Sequence, residues 1–102
     1  MAPELLYAVL TLSGGLFSLG LLGLLLRRNL LLAFLAIELL LNAANLNFLA
    51  FSRYHNEPTG AVFVLFGICL AAVEAVIGLG LVVRVFRAQQ DLGFAKLATL
   101  RW

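Results

Sequence analysis

The sequence predicts an all-α membrane protein with three transmembrane helices. Only 12% of its 102 residues are charged and 64% are hydrophobic, whereas about 25% of the residues in soluble globular domains are charged. Three long apolar stretches are present, and crossing about 30 Å of hydrocarbon takes about 20 helical residues. The chain leaves no room for a soluble catalytic domain, so we expect a single membrane domain over residues 1–102.

The first span is expected at residues 5–26, which carry no charge. The run follows Glu4 rather than a basic segment, so we expect it to be retained and not cleaved as a signal peptide. Small residues let membrane helices approach closely. The first span is therefore predicted to be a packing helix, on account of Gly14, Gly15, Gly20 and Gly23.

The second span is expected at residues 30–51 and the third at residues 61–83. Each is interrupted by one ionisable residue, Glu38 in the second and Glu74 in the third. The turn before the second span is so short that the first two helices must be antiparallel neighbours. Residues 84–102 are expected to form a tail outside the membrane.

The positive charges predict the orientation of the chain. One side would carry a single basic residue, Arg53, whereas the other would carry six basic residues and only one acidic residue, Asp91. The six are Arg27, Arg28, Arg84, Arg87, Lys96 and Arg101. By the positive-inside rule the C-terminus is cytoplasmic and the N-terminus is periplasmic or lumenal. These charges are thus topology signals, and we expect lipid, not nucleic acid, as the surrounding partner.

Glu38 and Glu74 are the strongest functional candidates. A charged side chain at the bilayer centre costs roughly 2.5–3.5 kcal/mol on insertion scales, so such residues are rarely accidental. Both glutamates lie near the middle of their spans and at similar depth. At 100° per residue, Asn42 and Asn45 share one helix face with Glu38. Their amides could order water beside the carboxyl group, or they could equally make interhelical hydrogen bonds.

The two carboxyl groups favour proton transfer over other chemistry. Burial disfavours the charged form of a carboxyl group, which brings proton uptake and release toward physiological pH. An ion pair with a partner subunit is the structural alternative. We expect no catalytic residues and no metal site, because Cys69 is the only cysteine, His55 is the only histidine and no soluble cleft is available.

The sequence resembles a known family along nearly its whole length. The segment AIELLLNAANLNFLAFSRY at residues 36–54 is preceded by LLRRN and followed by CLAAVEAVIGLGLVVRVFR. This pattern is similar to that of the subunit K family of respiratory complex I, the proton-pumping NADH:quinone oxidoreductase. The resemblance covers three spans, both glutamates, the double arginine and the basic C-terminal edge.

The resemblance implies a role and a set of partners. It implies that Glu38 and Glu74 belong to a chain of polar residues along the membrane arm, and that the basic turn Arg27 and Arg28 contributes to activity. Flavin, iron–sulfur clusters and quinone are expected in other subunits, with no cofactor in this chain. The expected partners are neighbouring small subunits and an antiporter-like subunit, in a bacterial inner membrane or a photosynthetic or organellar membrane.

Two alternatives stay open. The related small subunit of multisubunit cation/proton antiporters shares the three-span plan, although the glutamate followed by LLLNAANL favours the complex I family. A purely structural assembly subunit would also retain buried polar residues. Loss of pumping in an assembled glutamine variant would separate a proton relay from that structural role.

Overall fold

Three α-helices make up the chain in the computed structural model, which describes the backbone of residues 2–101 and the side chains of residues 2–100. They are α1 (Pro3–Leu25), α2 (Leu30–Tyr54) and α3 (Thr59–Arg101). Each helix is long and apolar enough to cross a membrane. The all-helical, three-span fold class is therefore confirmed, whereas the side on which each terminus lies stays a prediction.

The connection between α1 and α2 is short and capped. Asn29 precedes α2 in an extended conformation, and its side chain accepts a hydrogen bond of 2.8 Å from the backbone N–H of Leu32. Asn is among the preferred residues at this position because the first N–H groups of a helix lack partners within it. α1 and α2 consequently run antiparallel, as the short turn predicts.

The connection between α2 and α3 is tied to the end of α2. Asn56 has a φ of 56°, a left-handed conformation that Asn tolerates better than most residues. The N–H groups of Asn56 and Glu57 donate to the carbonyls of Arg53 and Ser52, at 3.3 and 3.0 Å. This pattern satisfies the last carbonyls of α2. The loop is shorter than the predicted residues 52–60, because Arg53 and Tyr54 remain helical.

α1 and α2 pack through small residues repeated every seven positions. The buried residues of α1 are Leu6, Ser13 and Gly20, and those of α2 include Ala36, Ala43 and Ala50. A seven-residue repeat is typical of helices that cross at about 20° in a left-handed bundle. Among the four glycines of the predicted packing helix, Gly20 and Gly23 face Ala36, while Gly14 and Gly15 face open space.

The three helices form a flat row with α2 in the middle. α2 packs against both other helices, whereas over the described residues no Cα atom of α1 comes within 8 Å of one in α3. The chain accordingly measures 71 × 24 × 13 Å along its principal axes. Both broad faces of α2 are left uncovered by the chain itself.

α3 is far longer than a membrane span. Its 43 residues extend about 65 Å at 1.5 Å per residue, roughly twice the hydrocarbon thickness. The helix continues without a break past Val83, and the side chains from Val83 to Leu100 are exposed. The segment predicted as a tail is thus a continuation of the same helix.

Candidate functional site

The contact between α2 and α3, called the seam below, is built on three glycines of α3. A methyl group added to Gly60 would lie 2.7 Å from Cβ of Ser52, one added to Gly67 would overlap the Asn45 amide, and one added to Gly78 would overlap the Phe34 ring. Glycine at these points lets the two helices approach closely. The close neighbour of this glycine face of α3 is α2 of the same chain.

These contacts fix the register of the seam and place the two glutamates opposite each other. Glu38 follows Phe34 by one turn of α2, and Glu74 precedes Gly78 by one turn of α3. Glu38 also precedes Asn45 by seven residues, and Glu74 follows Gly67 by seven. Because the helices are antiparallel, equal steps from two contacts lead to the same level. The two glutamates, predicted to lie at similar depth, are therefore at the same level of the seam on facing helices.

The Glu38 carboxyl group has an unsatisfied oxygen. Its Oε1 is buried and has no hydrogen-bond partner among the residues that the structure describes. Glu74 is half-buried on the opposing helix. A buried polar atom without a partner is costly, and native proteins pair most such atoms with protein groups or ordered water. This oxygen is consequently the point of the seam most in need of a water molecule or a partner group.

The two asparagines of the predicted polar stripe have different surroundings. Asn45 lies in the seam against Gly67, whereas the side chain of Asn42 is exposed. Both line an open groove of about 390 Å³ together with apolar side chains from all three helices, namely Leu16, Leu46, Leu49, Val64 and Ile68. None of the side-chain hydrogen bonds within residues 2–100 uses either amide. The amides thus border a space open to water or a neighbouring subunit.

The basic turn lies at one end of the seam, away from the carboxyl groups. Arg27 and Arg28 are exposed, and each borders a groove between the start of α2 and the part of α3 around Val82. Glu38 lies eight residues into α2, about 12 Å along the helix axis. The structure therefore brings the two glutamates to one level of the seam, with Asn45 two turns away along it and the arginines at its end.

Two serines that the sequence did not single out hold this geometry in place. The Ser13 hydroxyl is 1% exposed and donates a 2.7 Å hydrogen bond to the Ala43 carbonyl across the α1–α2 interface. The Ser52 hydroxyl donates to the Glu57 carbonyl and accepts from the Ala61 N–H at 3.2 Å. Their signal in the sequence is spacing: Ser13 lies seven residues from Gly20, and Ser52 lies seven from Asn45.

Three helices that can each span a membrane define a multi-pass membrane protein, and two of them carry a glutamate at one level of their contact. The profile of the family described as NADH-ubiquinone/plastoquinone oxidoreductase chain 4L matches residues 8–102. The chain belongs to this family. It is therefore a subunit of a complex I-type NADH-quinone oxidoreductase, an enzyme complex whose other subunits are its partners, and the predicted resemblance is confirmed.

Curated relatives agree with that membership. NADH-quinone oxidoreductase subunit K of Myxococcus xanthus is 44% identical over 101 residues, which is 99% of both chains. The subunit K proteins of Cytophaga hutchinsonii and Leptospira biflexa are 46% and 40% identical, over 85% and 92% of this chain and 90% and 89% of their own lengths. These descriptions favour the quinone oxidoreductase over the antiporter alternative.

Proposed function

We propose that this chain contributes Glu38 and Glu74 to proton translocation in the membrane arm of its complex. The observation that carries the proposal is the buried, unpartnered Oε1 of Glu38, on a seam whose register sets Glu74 opposite. A glutamate that served only the packing of this chain would be expected to have its hydrogen bonds satisfied inside the folded chain. A proton carrier needs an oxygen left free for a proton or a water molecule.

The opposed arrangement suits a relay with two carboxyl groups at one level of the membrane. The three glycine contacts set this level on both helices. A carboxyl group can take up a proton and pass it on through a hydrogen bond or one water molecule. Glu38 and Glu74 therefore supply two successive positions for a proton.

The neighbouring polar residues have supporting roles in this proposal. Asn45 borders the seam at the level of Gly67 and orients water near Glu38, while the groove at Asn42 connects that water with a neighbouring subunit. Arg27 and Arg28 lie at the end that we place on the cytoplasmic side, in a bacterial inner membrane or a related energy-transducing membrane. Flavin, iron–sulfur clusters and quinone are assigned to other subunits.

Glutamine substitution in the intact complex tests the relay. Glu38→Gln and Glu74→Gln keep the side-chain shape but cannot carry the proton. We expect normal assembly on native gels, with pumping coupled to NADH oxidation in membrane vesicles reduced at least severalfold in each single variant and abolished in the double variant. Arg53→Gln, which removes an exposed charge from the same helix outside the proposed relay, is the matched control.

The outcome also separates the relay from a purely structural role. Full assembly together with an unchanged number of protons pumped per NADH in the double variant would assign the glutamates to structure. Failure of either glutamine variant to assemble, while Arg53→Gln assembles, would likewise contradict the proposal, because glutamine preserves packing and hydrogen bonding.

A further inference from the structure

A narrow groove enters the seam from the end that carries Arg27. Arg27 and Leu30 form its mouth, and its walls are Ala33, Phe34 and Ile37 of α2 with Gly78, Leu81 and Val82 of α3. From Leu30 to Ile37 it follows α2 for about 10 Å, and its volume is about 190 Å³. An apolar cavity of about 150 Å³ accepts benzene. The groove therefore has room for a hydrocarbon segment of similar bulk.

The mouth of this groove is polar and positively charged. None of the hydrogen bonds described for residues 2–100 uses the Arg27 guanidinium. In the first turn of α2 the N–H groups of Leu32 and Ala33 bond to Asn29, which leaves those of Leu30 and Leu31 without an intrahelical acceptor. The N-terminus of a helix attracts anions. The Arg27 guanidinium and the free N–H groups of α2, which can bind an anion, thus lie at the end of an apolar groove.

The other side of the seam repeats the same arrangement. A second groove of about 360 Å³ has Arg28, Asn29 and Gln89 at its polar end, with apolar walls that include Val85 and Phe86. The two grooves share Leu30 and Val82. Each groove thus has an arginine at its polar end and apolar side chains along its walls. An anionic lipid matches both features, because it has a negatively charged headgroup and an apolar chain.

We propose that the seam binds an anionic phospholipid at this end, with its phosphate at Arg27 and the first turn of α2 and one acyl chain in the groove along Ile37 and Leu81. Each Arg or Lys near the membrane surface attracts anionic lipid by about 1 kcal/mol. The acyl chain would end beside the Phe34–Gly78 contact, one turn from Glu38.

Cross-linking in the purified complex tests the site without relying on pumping. The complex is placed in lipid nanodiscs that contain phosphatidylglycerol with a photoreactive acyl chain, or phosphatidylcholine with the same chain, and labelled peptides are identified by mass spectrometry. We expect phosphatidylglycerol to label the peptide around Leu81 about fivefold more than phosphatidylcholine, the ratio that corresponds to about 1 kcal/mol. Arg27→Gln should remove this preference, while Arg53→Gln, at the opposite end of α2, should keep it.

A second pair of variants tests the apolar part of the site. Leu81→Trp fills the groove and should abolish the label, whereas Leu79→Trp, on a residue outside both grooves, should retain it. Equal labelling by the two lipids, an unchanged preference in Arg27→Gln, or full labelling in Leu81→Trp would overturn the proposal. Failure of a variant to assemble leaves the other pair to decide.

Discussion

α2 uses the same seven-residue spacing at its interfaces with α1 and with α3, but the two interfaces differ in character. Against α1, residues at seven-position intervals are small and buried, and the Ser13 hydroxyl is satisfied by Ala43. Against α3, the α2 residues at the same interval are Glu38, Asn45 and Ser52; Asn45 packs against Gly67, and Glu38 keeps an oxygen without a partner. One interface is closed and satisfied, and the other is close-packed but polar and incomplete. A single repeat can thus build a fixed support on one side of a helix and a reactive surface on the other.

The largest expected effect is at the loop end of the seam, where backbone limits the space. Cβ at position 60 would lie 2.6 Å from the Phe48 carbonyl oxygen, which cannot move without disturbing α2. Gly60→Leu should therefore reduce the assembled complex on native gels by severalfold or more. Gly80→Leu, on the same helix with nothing within 4 Å, is the matched control and should assemble normally. Equal assembly of the two variants would refute this view of the seam.

Alanine substitution of one glycine at each interface should have an intermediate effect. The two variants should differ in the property that is lost, stability in one and pumping in the other. Gly20→Ala brings Cβ to 2.9 Å from the Ala36 carbonyl oxygen, so overpacking of about 1–3 kcal/mol is expected. Gly67→Ala instead meets the Asn45 amide, a side chain that can rotate away. Gly20→Ala should lower the thermal stability of the complex and leave pumping per NADH unchanged. Gly67→Ala should lower pumping with little loss of stability.

Similar effects of Gly20→Ala and Gly67→Ala on stability and pumping would refute this difference between the two interfaces. Combining Gly67→Ala with Asn45→Ala relieves the steric conflict, and the double variant should regain any stability that Gly67→Ala loses while its pumping stays reduced. Full recovery of pumping in that double variant would show that the Asn45 amide has no part in proton transfer.

The smallest expected effect is the loss of one hydrogen bond in the closed interface. Ser13→Ala removes the hydroxyl that bonds Ala43, and interhelical hydrogen bonds in membranes contribute about 0.6 kcal/mol on average. A shift of a few degrees or less in thermal inactivation of the complex is expected, with pumping per NADH unchanged. Ser18→Ala, whose hydroxyl bonds only the Gly14 carbonyl of its own helix, should shift it less. A decrease in the number of protons pumped per NADH in Ser13→Ala would contradict the proposed functional difference between the two interfaces.

Much of this architecture follows from local features of the sequence. The number of helices follows because hydropathy is a property of each segment, and the placement of Asn45 near Glu38 follows from helical phase alone. Packing, by contrast, does not follow from local features. Gly14 and Gly20 look equivalent in the sequence, and their roles differ only because Gly20 lies opposite Ala36. Likewise Asn42 and Asn45 share a stripe, but α3 covers only Asn45.

Helix ends were the least predictable feature, for a physical reason. Hydropathy marks where a segment becomes polar, but a helix continues until its backbone is redirected. α2 continues through the polar Arg53 and ends where Asn56 adopts a positive φ. α3 meets no such residue beyond Val83 and remains helical to Arg101. The opposition of the glutamates likewise required the register, which only the contacts at three glycines reveal.

The length of α3 has a mechanical consequence. The helix contains no proline, and sharp bends in helices occur mostly at proline or at local breaks in the hydrogen bonding. The part from Arg84 to Leu100 therefore acts as a stiff arm of about 25 Å attached to the membrane part. A sideways force on this arm turns the helix as one rod, and Glu74 moves with it. A subunit that binds residues 84–100 would therefore change the distance between the carboxyl groups of Glu38 and Glu74 when it moves this part of the helix.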